Sequence, residues 1–125
     1  MPTSEPRVAV TTATPTVSIV ALAGGHDLAS AREIVSAFEE LAAASRNIVA
    51  DLSNVTFFDT TTIHSLVVGR RLALAVGARF VVCVPPEHPA MRMLELMRLL
   101  ELAPVVNSVE QAITTAAEPV SGATA

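Results

Sequence analysis

The sequence predicts an α/β fold: a four- to five-stranded mixed sheet, mostly parallel, with four helices. Short apolar or β-branched runs, which are typical of strands, alternate along the chain with segments whose apolar residues recur at helical spacing. Proline and glycine residues separate many of these segments. Because regular alternation of strand and helix favours right-handed crossovers, we expect helices packed on a largely parallel sheet.

The chain begins with two predicted strands. Residues 8–12 and 17–21 alternate apolar or β-branched side chains on either side of Pro15, which is typical of a hairpin-like pair. We expect Gly24 and Gly25 to end the second strand, because glycine is depleted in strands and common in turns.

An amphipathic helix and a buried strand follow the hairpin. From Asp27 or Ser30 onward, apolar residues such as Ile34 and Phe38 recur at helical spacing, with charged residues off that stripe. Residues 48–52 then form a short, mainly apolar run, which suits a strand covered on both faces of a sheet.

The next elements are again a helix and a strand. We expect Ser53 and Asn54 to end the third strand. A second helix is predicted from about residues 61 to 76, and it should stop at Gly77, since glycine tolerates the left-handed conformation found at helix ends. The apolar residues 80–84 predict another buried strand.

Three predicted elements complete the chain. A third helix is expected over residues 89–97, because proline suits the first helical turn. Residues 105–106 predict a short strand. Asn107 or Ser108 should cap a last helix over residues 109–116, which carries apolar residues on one side.

Composition limits the classes of protein to which the chain can belong. The 125 residues suffice for one domain, predicted at 7–117, with flexible termini at 1–6 and 118–125. The net charge is -4 and the basic residues are scattered, which argues against nucleic acid as a partner. No apolar run approaches the ~20 residues that span a bilayer, and no signal-peptide pattern is present. We therefore expect a soluble, cytoplasmic protein without a membrane segment.

The segment DLSNVTFFDTTTIHS, residues 51–65, carries most of the information about function. It places an acid, Asp59, and three hydroxyl side chains, Thr60 to Thr62, at a predicted helix start. One interpretation is capping, in which Asp59 or Thr60 accepts hydrogen bonds from the N–H groups of the first turn. The other is a phosphorylation switch, because a helix N-terminus stabilises a phosphate, whose charge would repel a docked partner.

The helix after the threonines has two predicted apolar faces. The face expected to cover the sheet is formed by Ile63, Leu66, Val67 and Leu74. The opposite face is formed by Thr61, Ser65, Val68 and Leu72. Because solvated helices usually carry charges on that side, this second face predicts a docking surface; the alternative is packing on another element of the same chain. We interpret His64 as a surface residue of the docking surface rather than a pH sensor.

Other kinds of site find little support. Three histidines and Cys83 have no recognised metal-ligand spacing, and the apolar run around Cys83 predicts an inward-facing thiol. Asp27 and Asp59 could form a paired-carboxylate site, but the sequence has no glycine-rich phosphate loop and no nucleophile elbow. We expect no enzyme activity, no metal and no cofactor.

The same segment resembles a known family. DLSNVTFFDTTTI is similar to the D-L-S-x-V-x-F-x-D-S-S-G-L signature of STAS domains, found in bacterial anti-anti-sigma factors and in the cytoplasmic tails of anion transporters. Gly24, Gly77 and the predicted elements also fall in the family's order. The resemblance covers most of the chain and implies a STAS-like fold.

The resemblance also implies roles for single residues. Thr60 matches the family's phosphorylated serine and Thr61 matches the second serine, so both are predicted phosphorylation sites. Asp27 matches an acid that lies near the phosphorylation site. The sequence departs from the pattern at Thr60 itself, at Thr62, where glycine is usual, and at His64, where a small residue is common. The implied partners are an anti-sigma factor kinase and a PP2C-type phosphatase. We also consider a second copy of this chain, in a homodimer, as a partner.

Two functions follow from this reading. The first is a phospho-switchable antagonist of an anti-sigma factor serine/threonine kinase, regulating sigma-factor-dependent transcription. The second is a scaffold or sensor-complex module that is not phosphorylated and acts through protein–protein interaction. In the second function the threonines serve only as helix caps. The predicted partner-binding residues are Asp27, Asp59, Thr60, Thr61, Thr62, His64, Ser65, Val68 and Leu72.

Overall fold

The computed structural model describes residues 5–26, 28–88, 91, 92, 95 and 103–118. The strands are β1 (Arg7–Thr12), β2 (Val17–His26), β3 (Asn47–Phe58), β4 (Phe80–Cys83) and β5 (Val105–Val106). The helices with defined bounds are α1 (Leu28–Ala43), α2 (Thr60–Ala75) and α3 (Val109–Ala117). Asp27 and the terminal residues 1–4 and 119–125 lie outside the described residues.

The strands form one mixed sheet in the order β1-β2-β3-β4-β5. β1 runs antiparallel to β2, and the other neighbouring pairs are parallel. The prediction of a mainly parallel mixed sheet is confirmed. Four helices were predicted and three have defined bounds; of the predicted helix over 89–97, Met91, Arg92 and Glu95 are helical, and its other residues lie outside the described part of the chain.

Two strands are longer than the sequence predicts. β2 continues through Gly24 and Gly25, and β3 continues through Ser53 and Asn54, because the two strands remain paired beyond these residues. The parallel ladder accommodates them with register shifts, and Gly24 adopts a left-handed φ of 81°. Predicting strand ends at these glycine and Ser-Asn pairs was therefore wrong, since pairing between strands outweighed local turn propensity.

The apolar core lies on both faces of the sheet. On one face, α1 and α2 pack over a large cluster in which the rings of Phe38 and Phe80 meet edge to face, with centroids 5.3 Å apart. On the other face, α3 contributes to a smaller cluster that includes the buried Cys83. The inward orientation predicted for Cys83 is confirmed.

Arg46 stabilises the turn between β1 and β2 by hydrogen bonds. Its guanidinium donates hydrogen bonds to the carbonyl oxygens of Thr14 at 2.8 Å and Val17 at 3.0 Å, and to that of Pro15. Its Nε also donates to the Ser18 hydroxyl at 3.0 Å. One side chain from the α1–β3 loop therefore fixes the hairpin turn through several charge-assisted hydrogen bonds.

The helix ends follow the predicted signals. Gly77 has a φ of 74° just beyond α2, as expected for a helix-ending glycine. Ser108 caps α3, and its hydroxyl accepts a hydrogen bond from the Gln111 N–H at 3.1 Å. Among the described residues, no helix has the length and apolar character needed to cross a bilayer.

Candidate functional site

Asp59 fixes the start of α2. Its carboxylate Oδ1 accepts hydrogen bonds from the N–H groups of Thr61, at 3.0 Å, and Thr62, at 3.3 Å. These are two of the N–H groups that a helix start leaves without an intrahelical partner. Of the two capping residues that the sequence allowed, the structure uses Asp59, so the Thr60 hydroxyl is not needed as a cap.

His26 connects the end of β2 to α1 and α2, the two helices that cover one face of the sheet. Its ring is completely buried; Nε2 lies 2.9 Å from the Ala23 carbonyl oxygen and Nδ1 lies 2.9 Å from the Ser30 hydroxyl in α1. Because a carbonyl only accepts, Nε2 carries the proton and Nδ1 accepts from Ser30. The His26 carbonyl accepts from the Asp59 N–H at 3.3 Å, so one residue contacts the first turn of α1 and the cap of α2.

The three threonines have different environments. The Thr60 side chain is exposed, and its hydroxyl makes no hydrogen bond to any residue in the described part of the chain. Thr61 is half-buried. Thr62 is completely buried, and its hydroxyl is without a hydrogen-bond partner among the described residues. Of the three threonines, only Thr60 combines an exposed side chain with a hydroxyl that makes no hydrogen bond within the described residues.

A groove of about 440 Å³ runs between α1 and α2. We call it the α1–α2 groove. The α1 side is lined by Ala31, Arg32, Val35, Ser36 and Glu39. The α2 side is lined by Thr61, His64, Ser65 and Val68. Most of the predicted docking face therefore borders a groove whose opposite wall is another helix of the same chain.

A second groove, of about 430 Å³, lies on the other side of the α2 start. We call it the threonine groove. Its lining residues are Thr60, Thr61, Ile63, His64 and Val67. Thr61 and the exposed His64 belong to both grooves and so form a ridge between them. A partner that contacts this ridge would meet Thr60 directly beside it.

The close approach of α1 depends on Gly69. A Cβ at Gly69 would lie 2.5 Å from a ring carbon of Phe38 in α1. Ser65, one turn earlier, is 3% exposed and donates a hydrogen bond from its hydroxyl to the Thr61 carbonyl at 3.0 Å. These small residues let α1 pack on the side of α2 that the sequence interpretation assigned to a partner.

The buried and exposed faces of α2 therefore differ from those predicted. Ile63 and Leu66 cover the sheet as predicted, but Leu74, assigned to the same face, is 50% exposed. Leu72, assigned to the docking face, packs against the core cluster. The reason is that α1 contacts α2 from one side, so the buried face of α2 points between the sheet and α1.

The predicted partner-binding residues are thus only partly together at the surface. Thr60 and His64 are exposed, while Asp59, Thr61 and Val68 are half-buried beside them. Thr62 and Ser65 are buried, so their side chains contact the interior. Asp27 lies outside the described residues.

Phe57 adds an apolar side chain near this surface. It lies two residues before Asp59, is 55% exposed, and its ring covers the backbone of Gly25, where a Cβ would overlap it. Gly25 is therefore required for close contact rather than for a strand end. A single exposed apolar side chain is common on protein surfaces, so it is the position of Phe57 close to the start of α2 that makes it a candidate contact.

Cys83 does not form a reactive site. Burial raises the pKa of its thiol; a hydrogen bond with Ser53 lowers the pKa by less than burial raises it, and the nearby charge of Asp51 raises it further. The Ser53 hydroxyl lies 3.8 Å from Sγ and donates to Asp51 Oδ1 at 2.6 Å. Among the described residues, no three His, Cys, Asp or Glu side chains are placed to hold a metal ion.

Sequence reasoning overlooked the contributions of α1, Gly69 and the linking role of His26. A glycine inside an otherwise apolar helix was the available signal for close helix packing. His26 offered none beyond its position at a strand end, because its partners are a backbone carbonyl and a serine four residues later.

The fold and site define an α/β domain in which two helices cover one face of a mainly parallel sheet and an acid-capped helix start exposes a hydroxyl. The family model of the STAS domain matches residues 8–112, so the chain belongs to the STAS domain family. The resemblance inferred from the sequence is confirmed.

Solved structures show the same fold. An anti-sigma factor antagonist from Mycobacterium paratuberculosis superposes with a TM-score of 0.79 at 23% identity, covering 92% of this chain and 97% of that one. The phosphorylated form of the Bacillus cell fate determinant SpoIIAA gives 0.70 at 17% identity, with 87% and 98% covered. A STAS domain anti-sigma-factor antagonist from Planctomyces limnophilus gives 0.71 at 21% identity, with 89% and 98% covered. No curated protein matches the chain significantly.

Proposed function

We propose that this protein is an anti-sigma factor antagonist in the cytoplasm. It binds an anti-sigma factor serine/threonine kinase through the start of α2, and phosphorylation at Thr60 switches that binding off. The protein carries out no reaction of its own. Release of the sigma factor then regulates transcription, and a PP2C-type phosphatase restores the binding form.

The observation that carries this proposal is the exposed, unused hydroxyl of Thr60 at a helix start capped by Asp59. A kinase can reach this hydroxyl without disturbing a cap. Thr61, the second candidate for phosphorylation, is half-buried on the ridge and less accessible. The fold supports the same role, since structural neighbours are described as anti-sigma factor antagonists, among them SpoIIAA, whose phosphorylated form has the same fold.

A phosphate on Thr60 would act through charge. It would add close to two negative charges beside the Asp59 carboxylate, and the free N–H groups of the helix start would partly offset the repulsion within the chain. A partner docked on the ridge would have to desolvate the phosphate, and any acidic group of the partner nearby would be repelled by it. Binding should therefore fall by about tenfold or more, since juxtaposed like charges cost several kcal/mol at interfaces.

Phosphorylation assays with the full chain test the proposal. The protein is incubated with ATP and the kinase-like anti-sigma factors encoded near its gene, and the modified residue is located by mass spectrometry. We expect phosphate on the wild type and on Thr61→Val, and none on Thr60→Val. Calorimetric titration should show weaker kinase binding by Thr60→Asp than by its neutral isostere Thr60→Asn.

A second pair of variants tests the surface. Phe57 and Val76 are both exposed apolar residues, at 55% and 43%, but Val76 follows the far end of α2. Phe57→Ala should weaken kinase binding while Val76→Ala should not. Absence of phosphate on Thr60 with every kinase, together with undiminished binding by Thr60→Asp, would instead favour the scaffold or sensor-complex function.

A further inference from the structure

The outer edge of β1 carries one charged residue, Arg7, at its start and is unprotected beyond it. Within the described residues, β1 is the first strand of the sheet and pairs with β2 alone. Residues 8–12 contain no charge and no proline, and their register with β2 has no bulge. Natural proteins usually protect a sheet edge with one of these devices, because its unpaired N–H and C=O groups can pair with another chain.

The register identifies which backbone groups face outward. The Ala13 N–H donates to the Val17 carbonyl at 2.9 Å, so the backbone of Ala13 faces β2. In an antiparallel ladder, hydrogen-bonded and non-hydrogen-bonded pairs alternate. The backbone groups of Thr11 and Ala9 therefore point to β2, and those of Val8, Val10 and Thr12 point to the open edge.

The side chain of Val10 is also left uncovered. Val8 packs against the core on the face that α1 and α2 cover, and Val10, two residues later on the same face, is 50% exposed. The middle of the strand thus combines unpaired backbone groups with a β-branched apolar side chain that is half exposed.

We propose that a second copy of this chain pairs with this edge, β1 against β1, in antiparallel orientation. The register centres on Val10, so that Val10 faces its own counterpart and Val8 faces Thr12 of the second copy. Each facing pair exchanges two hydrogen bonds through the groups that point outward. The pairing is closed by a two-fold axis, which requires one patch that is complementary to itself.

The outward-facing residues Val8, Val10 and Thr12 are evenly spaced about Val10, so the edge is complementary to itself, which favours a second copy as the occupant. Arg46 holds the β1–β2 turn through the Thr14 and Val17 carbonyls, so the edge is ordered before it pairs. The two-fold axis is perpendicular to the sheet, so both α1–α2 layers lie on the same face of a continuous sheet. Thr60 remains exposed in both copies. Because strand pairing buries a small area, self-association should be weak and depend on concentration.

Sedimentation equilibrium of the full chain, from micromolar to millimolar concentration, tests the proposal; interference optics suit a chain without Trp or Tyr. We expect the wild type to be monomeric at low and dimeric at high concentration. Val10→Lys places two ammonium groups across the axis and should weaken the dimer about tenfold or more. Thr11→Lys makes the same charge change at a residue whose backbone groups point to β2, so it should weaken the dimer much less.

A mixture of charge variants provides the decisive comparison. Val10→Lys and Val10→Glu should each be monomeric alone and should form a heterodimer when mixed, because opposite charges then meet across the axis. Circular dichroism of each variant checks that the chain is folded. A wild type that stays monomeric at every concentration, as expected if another protein's strand uses this edge, overturns the proposal. The proposal is also overturned if Val10→Lys leaves the dimer intact, or if Thr11→Lys weakens the dimer as much as Val10→Lys does.

Discussion

The backbone N–H of Asp59 donates a hydrogen bond to the carbonyl of His26, with the two atoms 3.3 Å apart. The last residue of β2 therefore positions the residue that caps α2. The His26 ring in turn accepts a hydrogen bond from Ser30 in α1. The three elements that surround the candidate site are consequently linked by one buried residue, whose carbonyl contacts the cap of α2 and whose ring contacts α1.

Replacing His26 should destabilise the protein. His26→Ala removes a fully buried ring and leaves the Ser30 hydroxyl and the Ala23 carbonyl without this partner. We expect the free energy of unfolding to fall by about 3 kcal/mol, the range for losing a large buried side chain and its hydrogen bonds. Urea unfolding followed by circular dichroism measures it. His64→Ala, at an exposed position, should change stability by less than about 0.5 kcal/mol; equal effects would contradict the linking role.

Replacing Thr62 by valine should not destabilise the protein. The two side chains have the same shape, and the buried Thr62 hydroxyl has no hydrogen-bond partner in the described chain. Removing it should leave the free energy of unfolding unchanged or raise it by about 1 kcal/mol, because an unsatisfied buried polar group is costly. Thr62→Ser keeps the hydroxyl and removes a methyl group, so it should lower stability. A loss of more than about 1 kcal/mol in Thr62→Val would show that the hydroxyl has a partner.

Gly69→Ala should destabilise the protein although alanine is the better helix former. Helix propensity alone would add about 1 kcal/mol. The new Cβ, however, would lie 2.5 Å from the Phe38 ring, and overpacking of a core typically costs 1–3 kcal/mol. Thermal and urea unfolding should therefore show a net loss. In a Phe38→Leu background the same substitution should be neutral or favourable; additive effects of the two changes would refute the contact.

Stability should decrease in alkali through Cys83. Burial raises the pKa of the thiol, so the folded state holds this proton more tightly than the unfolded state does. The stabilising effect is complete below the ordinary thiol pKa and is lost as pH rises through the raised value. The chain has no Tyr, and every basic side chain other than histidine is arginine, so few other groups titrate in this range.

Urea unfolding at about pH 8 and about pH 10, which bracket the ordinary thiol pKa, measures this dependence. The wild type should lose more stability between the two than Cys83→Ala does. If the free energy of unfolding changes equally with pH in both proteins, the Cys83 thiol does not contribute to the pH dependence. Alkylation of the folded protein should also be slower than that of the unfolded chain at the same pH.

Local signals predicted the helix ends but not every strand end. Gly77 and Ser108 act within their own turns, so their roles could be inferred from residue type. Gly24–Gly25 and Ser53–Asn54 resemble turns in the same way, yet they lie in paired strands. Whether such a pair ends a strand or continues it depends on pairing with the neighbouring strand, and local propensity contains no information about that pairing.

The orientation of α2 was predictable only in part. Ile63 and Leu66 could be assigned to the sheet from their spacing. Leu74 and Ser65 could not be placed correctly, because their burial depends on where α1 crosses, and Gly69 permits that crossing. Among the site residues, the different environments of Thr60 and Thr62 likewise arise from tertiary packing, although the two side chains are chemically identical.

The Asp59 cap has a consequence for how a partner could distinguish two forms of this protein. Because a carboxylate rather than a threonine hydroxyl holds the first turn of α2, a covalent group on Thr60 leaves the backbone hydrogen bonds of that turn in place. The forms would share one shape and differ in local electrostatic potential. Mobile ions screen such a difference at exposed positions. Discrimination between the forms should therefore weaken as ionic strength rises, with no change in secondary structure.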